Sequence, residues 1–401
     1  MTFFSDVKKI LQQNIREYGM YIALFVIMII FTITTEGTFI SSRNIVNLVN
    51  QTGYIAILAI GMTLVIIIRH IDLSVGFLAG FLGAIAAIAM ADPKVVQAGM
   101  SLPIYIVIPL TLVLGIVAGL LTAFLVAQMK IPSFVASLAG WLIYRGAILV
   151  VTESTGTIII NDDAFNAIGN GFVPDIPGIG ILPGIHKLTL ILGIIAIIAM
   201  ALSEFNDRRK KLTYNFEVLP TEIFILKVIF TSAIIGGITW VLSGYQGLSW
   251  TAVIVLVVTI IYNFIMSQTV LGRHIYAIGG NPDAAELSGI SVKKLIYVVF
   301  GSMGMLSALS GILFASRLQS ATTTAGTLFE LDAIAAAYVG GVSAAGGVGK
   351  VVGSIIGALV MTSLTSGMNL MGIGISYQYM VRGAVLAAAV IFDVATRNTG
   401  K

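Results

Sequence analysis

Cysteine is absent from this chain, which removes disulfides, thiolate metal sites and cysteine nucleophiles at once and says little else about its compartment. Charge is scarce too. Only 10% of the 401 residues are Asp, Glu, Lys or Arg, against about 25% in an ordinary soluble domain. The three histidines, His70, His186 and His274, stand on separate connections with no H-E-x-x-H spacing, so a zinc hydrolase is not signalled. No serine occupies a G-x-S-x-G elbow. The stretch Gly346-Gly347-Val348-Gly349-Lys350-Val351 fails as a phosphate loop twice, with Ala344 where the first glycine belongs and Val351 where a Mg²⁺-binding Ser or Thr belongs. Any ATP-driven step therefore needs an ATPase on another polypeptide.

What the chain has in abundance is apolar length. Hydrophobic residues make up 58% and the mean hydropathy is +1.02, values of an integral membrane protein. Runs of spanning or near-spanning length fall at about 19–35, 51–69, 74–91, 103–128, 132–152, 187–203, 222–243, 249–267, 295–316, 332–346, 351–369 and 378–394. The expectation is an all-α, polytopic transmembrane helical bundle of about 10–12 spans, forming a single domain over 1–401. Lys8, Lys9 and Arg16 precede a first run that lacks a small-residue cleavage pattern, which reads as an uncleaved anchor with residues 1–18 in the cytoplasm. Alternating sides from there puts most Lys and Arg inside and only Arg43, Lys94, Lys187 and Arg317 outside, the asymmetry that orients membrane proteins. Both termini and the connections 204–221 and 268–294 are then cytoplasmic, and the acidic connection 153–187 is external. The Arg208-Arg209-Lys210-Lys211 cluster reads first as a topogenic signal and second as an anionic-lipid or regulator site.

Two places look broken. The 332–346 run is short and rich in Ala and Gly, and 69–76 leaves no room for an ordinary loop, so 69–76 and 332–350 are candidate re-entrant segments. Irregular backbone at membrane depth survives only where protein or a water-filled cavity surrounds it. Gly76, Gly80, Gly83 and Ala84 match the spacing of Gly349, Gly353, Gly357 and Ala358, a weak internal repeat. The simpler reading is a close-packing face, as at Gly115 and Gly119.

The most informative stretch runs from Gly279 to Ile290. Asn281 is placed to cap a short helix, Pro282 suits its first position, Asp283 favours its positive end, and Gly289 can end it in a left-handed conformation. So polar a two-turn helix needs an outside support to stay folded. Polar contacts to a partner are expected from Arg273, Asp283, Glu286 and Ser288, with Ala284, Ala285 and Leu287 packing beneath. Polar groups in or beside spans form a second set: Asn47, Asn50, Gln51, Tyr54, Asp72, Ser74, Asn369, Tyr377 and Gln378. Such groups suit a neutral polyol, because amides and hydroxyls donate or accept hydrogen bonds without a fixed charge. Interhelical hydrogen bonds and headgroup anchors are their bland alternative. Arg145 and Arg382 read as partners of helix carbonyls or acidic side chains rather than of a substrate. Asp72, Glu330 and Asp332 keep open an ion-coupled secondary transporter, and a membrane enzyme is disfavoured by the missing motifs above.

Three ordered strings together resemble one family, the permease subunits of ribose- and xylose-type ABC importers of monosaccharides. They are Ile71-Asp72-Leu73-Ser74-Val75-Gly76, the Gly279 to Ile290 stretch, which looks like that family's ATPase-coupling loop, and Thr324 to Ala336 continuing through Gly340-Gly341 and Gly346-Gly347. The resemblance covers about 20–165 and 250–394, and the extra stretch at 180–247 resembles the longer xylose or multiple-monosaccharide branch. It implies import of a pentose or related sugar across a bacterial cytoplasmic (inner) membrane. It also implies a second copy of the chain, an ABC ATPase gripping Arg273 and 281–289, and a periplasmic or extracellular sugar-binding protein. The chain itself would bind no cofactor, ATP and Mg²⁺ sitting on the partner ATPase, and nucleic acid is no partner.

Overall fold

The computed structural model describes residues 15–93, 96, 98–153, 155–177, 184–216, 218 and 220–398. Lys8, Lys9, Lys94 and Lys401 lie outside the described residues, as does most of the expected 1–18 segment. The described chain is almost wholly helical. Its helices are α1 (Ile15–Thr34), α2 (Ser42–Ile67), α3 (Val75–Met90), α4 (Ile104–Ala127), α5 (Ser133–Thr152), α6 (Asp163–Asn170), α7 (Lys187–Thr213), α8 (Thr221–Ser243), α9 (Trp250–Gln268), α10 (Val270–Gly280), α11 (Pro282–Leu287), α12 (Val292–Leu318), α13 (Phe329–Val339), α14 (Val351–Leu370) and α15 (Ile375–Asn398). Nine of the described helices are long and apolar enough to cross a membrane, and the apolar parts of α1 and α3 are shorter. The bundle class expected from hydropathy is the one observed.

The helices sort into two compact units. The smaller comprises Ile40–Asn47 and Phe172–Ser249 among the described residues and is built on the α7–α8 hairpin. Lys227 bonds Glu204 at 2.7 Å across that hairpin, and the Arg208 guanidinium lies 4.6 Å from the Phe224 ring centre. The aromatic ring thus covers one charge of the basic cluster.

The larger unit comprises, among the described residues, Arg16–Phe39, Leu48–Gly171 and 250–398. Its axis is α12, which is buried on nearly every side from Leu295 to Ser316 and so has no amphipathic stripe. Helices reach that axis through small residues. A Cβ on Gly304 would overlap the Gly115 carbonyl and one on Gly119 the Phe300 carbonyl, so α4 and α12 touch backbone to backbone. Without a hydrophobic force between helices in lipid, such close packing is what holds them. Two turns further along α12, a Cβ on Gly311 would meet backbone of α3, and one on Gly83 of α3 would meet the Gly311 carbonyl, in the same way.

Both suspected breaks are present. Helix α3 has 16 residues and α13 has 11, lengths of about 24 and 16 Å, short of the roughly 30 Å of a hydrocarbon core. The expected run 332–346 ends as helix at Val339, where Gly340 caps and Gly341 turns at φ +88°. Helices α3 and α13 begin against one another: a Cβ on Gly76 would run into Glu330 and the Gly326 carbonyl. The two glycine runs of the repeat are packing faces, Gly76 and Gly80 against Ala325–Glu330 and Gly353 and Gly357 against Gly340 and Ala336. A short antiparallel pair, β1 (Thr157–Ile159) with β2 (Ser320–Thr322), gives the 153–187 connection structure that its composition did not reveal.

Candidate functional site

Two places in the larger unit gather the candidate residues. The first is the corner α10–α11. Asn281 leaves the helical conformation at φ −155°, and its Oδ1 accepts from the Ala284 N–H at 3.1 Å, as an N-cap should. Pro282 fills the first position and spends no donor there. At the other end Gly289 has φ +84°, with Gly289 N–H bonded to Glu286 O at 2.9 Å and Ile290 N–H to Ala285 O at 3.0 Å. This is a Schellman turn, and it satisfies carbonyls that a two-turn helix would leave open.

The six-residue helix turns one side chain inward, Ala285, which is 5% exposed. Arg273, Asp283, Ala284, Glu286 and Ser288 are exposed, and Leu287 is 90% exposed. The expected packing of Ala284 and Leu287 beneath the helix is therefore corrected. At about 100° per residue, Leu287 lies some 200° around from Ala285, so one buried position excludes the other. A leucine held in the open on a rigid polar corner is a ready contact for a partner.

The second place is where α3 and α13 begin. Asp72 and Ser74 are buried, and the Asp72 carboxylate accepts from both the Ser74 N–H at 2.9 Å and the Ser74 hydroxyl at 2.6 Å, an Asx turn that opens α3. Close by, Trp141 of α5 donates to Glu330 Oε1 at 3.0 Å. Tyr54 of α2 packs on Phe314 of α12 and Phe329 of α13, with ring centres 5.1 and 4.9 Å apart. One turn beyond Phe329, Asp332 pairs with Arg382 of α15 at 3.2 Å. Asn50, one turn before Tyr54, is buried with no partner for its Oδ1.

The remaining candidates scatter. Asn47 is exposed in the smaller unit, and Gln51 is half-buried beside the Tyr54 turn. Gln378 donates to Asn369 Oδ1 at 2.7 Å and to Ile373 O at 2.9 Å, closing the α14–α15 turn, while Tyr377 points outward. Arg145 donates to the Thr323 carbonyl and lies 5.1 Å from the Phe77 ring centre, so both arginines within spans are held by protein groups. Trp141 and Arg69 were not singled out from the sequence. Arg69 donates through Nε to Gly279 O at 2.7 Å and through its terminal nitrogen to Gly280 O. Its only sequence signal was a cation immediately after an apolar run. No group of three His, Cys, Asp or Glu among the described residues could hold a metal ion.

Comparison with known proteins agrees with this architecture. The family model described as "Branched-chain amino acid transport system / permease component" matches residues 44–390. The chain is 39% identical over 390 residues to the xylose transport system permease protein XylH of Haemophilus influenzae, covering 97% of this chain and 99% of that one. It is 37% identical to the Escherichia coli K12 protein of the same name, covering 98% and 95%. To the ribose import permease protein RbsC of Haemophilus influenzae it is 34% identical over 380 residues, covering 94% and 93%. No solved structure matches it. A helical bundle with nine spanning-length helices among its described residues, matched end to end by these relatives, belongs to the ABC-importer permease family, in the branch that holds the xylose and ribose permeases.

Proposed function

We propose that this chain is the permease subunit of an importer that carries a monosaccharide, a pentose or related sugar, into the cytoplasm of a bacterium, driven by ATP hydrolysis on a separate subunit. The observation that carries the reading is the α10–α11 corner. It is capped at both ends, turned outward, and joined to the bundle through the Gly279 and Gly280 carbonyls. Such an element suits a partner that must push without deforming it. The relatives' names supply the substrate class, since they are a xylose transport permease and a ribose import permease. In this reading α11 and both termini face the cytoplasm, and Arg273, Asp283, Glu286 and Ser288 supply the polar rim of the contact. Leu287 enters the ATPase groove as its apolar anchor. A second copy completes the pathway, a binding protein delivers the sugar from outside, and ATP and Mg²⁺ stay on the ATPase. Tyr54, Asp72 and Ser74, with the Asp332–Arg382 pair, lie where two helices start within the bundle, a favourable place for sugar hydroxyls. Asn50 adds a free acceptor near them.

The test is purification of the tagged chain in mild detergent after co-expression with a candidate ABC ATPase and sugar-binding protein from the same organism. The ATPase is expected to accompany the wild-type chain. With Leu287→Asp, which places a charge in an apolar groove, recovery of the ATPase should fall at least about tenfold while the permease melts unchanged. Uptake of D-xylose or D-ribose driven by a proton gradient in vesicles holding this chain alone would refute the reading and favour an ion-coupled carrier.

A further inference from the structure

The corner that carries α11 is not merely adjacent to the bundle; it is bolted to two distant parts of the chain at one point. Helix α2 ends in a Schellman turn, with Arg69 N–H on Ile66 O at 2.9 Å and His70 N–H on Val65 O at 3.0 Å. The left-handed position of that turn, where glycine is the unstrained choice, is occupied by Arg69 at φ +65°. The strain places the guanidinium on the last two carbonyls of α10, those of Gly279 and Gly280, which have no partner within their own helix. A cation at that end also complements the helix dipole. In return the open carbonyl at the end of α2, Ile67 O, accepts from Gly347 N–H at 2.9 Å. The loop bearing Gly347 is itself held on two further sides. Tyr276 of α10 donates to Gly349 O at 2.6 Å, and Asp393 of α15 accepts from Ala344 N–H at 3.1 Å. The approach is so close that a Cβ on Gly279 would collide with both Ile67 O and the Gly347 backbone.

We propose that this joint, with Arg69 as its positioning residue, transmits movement of α11 to the site where α3 and α13 begin. The connections leave it two short routes. From Arg69 the non-helical residues 70–74 lead directly to Asp72, Ser74 and the first turn of α3, and from Gly347 the loop leads into α14, which packs on α13. Arg69 touches neither sugar nor nucleotide; it keeps the corner and the two broken helices in one rigid relation. The inference rests on the ATPase-coupled reading above.

The experiment uses the complete assembly in proteoliposomes, with labelled D-xylose and D-ribose as probes, and measures uptake and ATP hydrolysis on the same preparation. Arg69→Gln removes the forked donor, and Arg69→Gly removes it while relieving the left-handed backbone, so the second variant cannot fail through strain. Both are expected to assemble and to hydrolyse ATP within about twofold of wild type, while uptake falls about tenfold, as loss of two charge-assisted bonds at one joint allows. Sugar imported per ATP falls accordingly. Arg69→Lys, which keeps a charge and one donor, is expected to recover part of that ratio. An unchanged ratio in both variants overturns the proposal, as does a fall in uptake and hydrolysis together in proportion to the complex recovered, the mark of a merely structural residue. Failure of the wild-type chain to bind an ATPase, or import without ATP, would instead overturn the functional reading and the joint with it.

Discussion

Gly289→Val tests whether the shape of α11 matters to its partner. Gly289 sits at φ +84°, where an L side chain costs roughly 1–2 kcal/mol and a β-branched one lies at the upper end. Nothing stands within 4 Å of its Cβ direction, so the whole effect is backbone strain and not a clash. The helix has little to spend. It has six residues, one buried side chain and one cap worth about 1 kcal/mol, and a segment that short has no stability of its own. A loss of 1–2 kcal/mol is about a 5–30-fold rise in local opening. Amide exchange across 282–290 in detergent should report that factor, with the melting temperature of the bundle unchanged, and ATPase recovery should fall with it. Gly372→Val is the control, because Gly372 ends α14 with the same turn at φ +69°, far along the chain from α11. It should loosen its own turn and leave ATPase recovery intact. Normal exchange at 282–290 together with full ATPase recovery in Gly289→Val would refute the reasoning, as would equal loss of the ATPase in both variants.

Two further outcomes follow from ion pairs. The Asp332 and Arg382 side chains are 14% and 20% exposed, so Arg382→Gln strands a buried carboxylate and should cost about 3–5 kcal/mol. The double variant with Asp332→Asn should regain most of that, read as detergent melting temperatures; additive losses would show that the pair is not coupled. At the start of α7, Asp175 is held well below the usual carboxylate range, first by the Leu188 N–H at 2.9 Å and then by the other backbone donors and His186. A depressed folded value gives stability that is fully present above the unfolded value near 3.9 and fades as pH falls through the folded one. Exchange at the Leu188 amide, corrected for intrinsic rate, should therefore stay slow down to about pH 4 and quicken below it, and Asp175→Asn should abolish that pH dependence.

Hydropathy located each apolar run because burial in lipid or protein requires every residue of a span to be compatible with it. The caps of α11 were legible for a different reason: Asn, Pro and Gly act on their own backbone within four residues, so spacing alone carries the information. Neither cue reaches across the fold. Leu287 was expected underneath because apolar residues usually are, and only the single contact of Ala285 sets which face turns inward. The end of α13 was missed because Ala and Gly stay apolar through 346 while the backbone has already turned at Gly341. Arg69 was hidden most thoroughly. Its left-handed turn lacks the usual glycine, and its partners are carbonyls, which every residue possesses and no sequence distinguishes. Of the polar candidates, Asp72 and Ser74 bond each other where α3 begins and Tyr54 packs on Phe329 where α13 begins, whereas Gln378 and Asn369 are occupied with each other.

The glycine contacts along α12 carry a mechanical consequence. Where α3 and α4 meet that helix, main chain rests on main chain, with no layer of flexible side chains that could creep or re-pack between them. Any sideways shift would drive carbonyl oxygens into one another, so these three helices resist sliding, and a push received at the start of α3 would carry α4 and α12 with it.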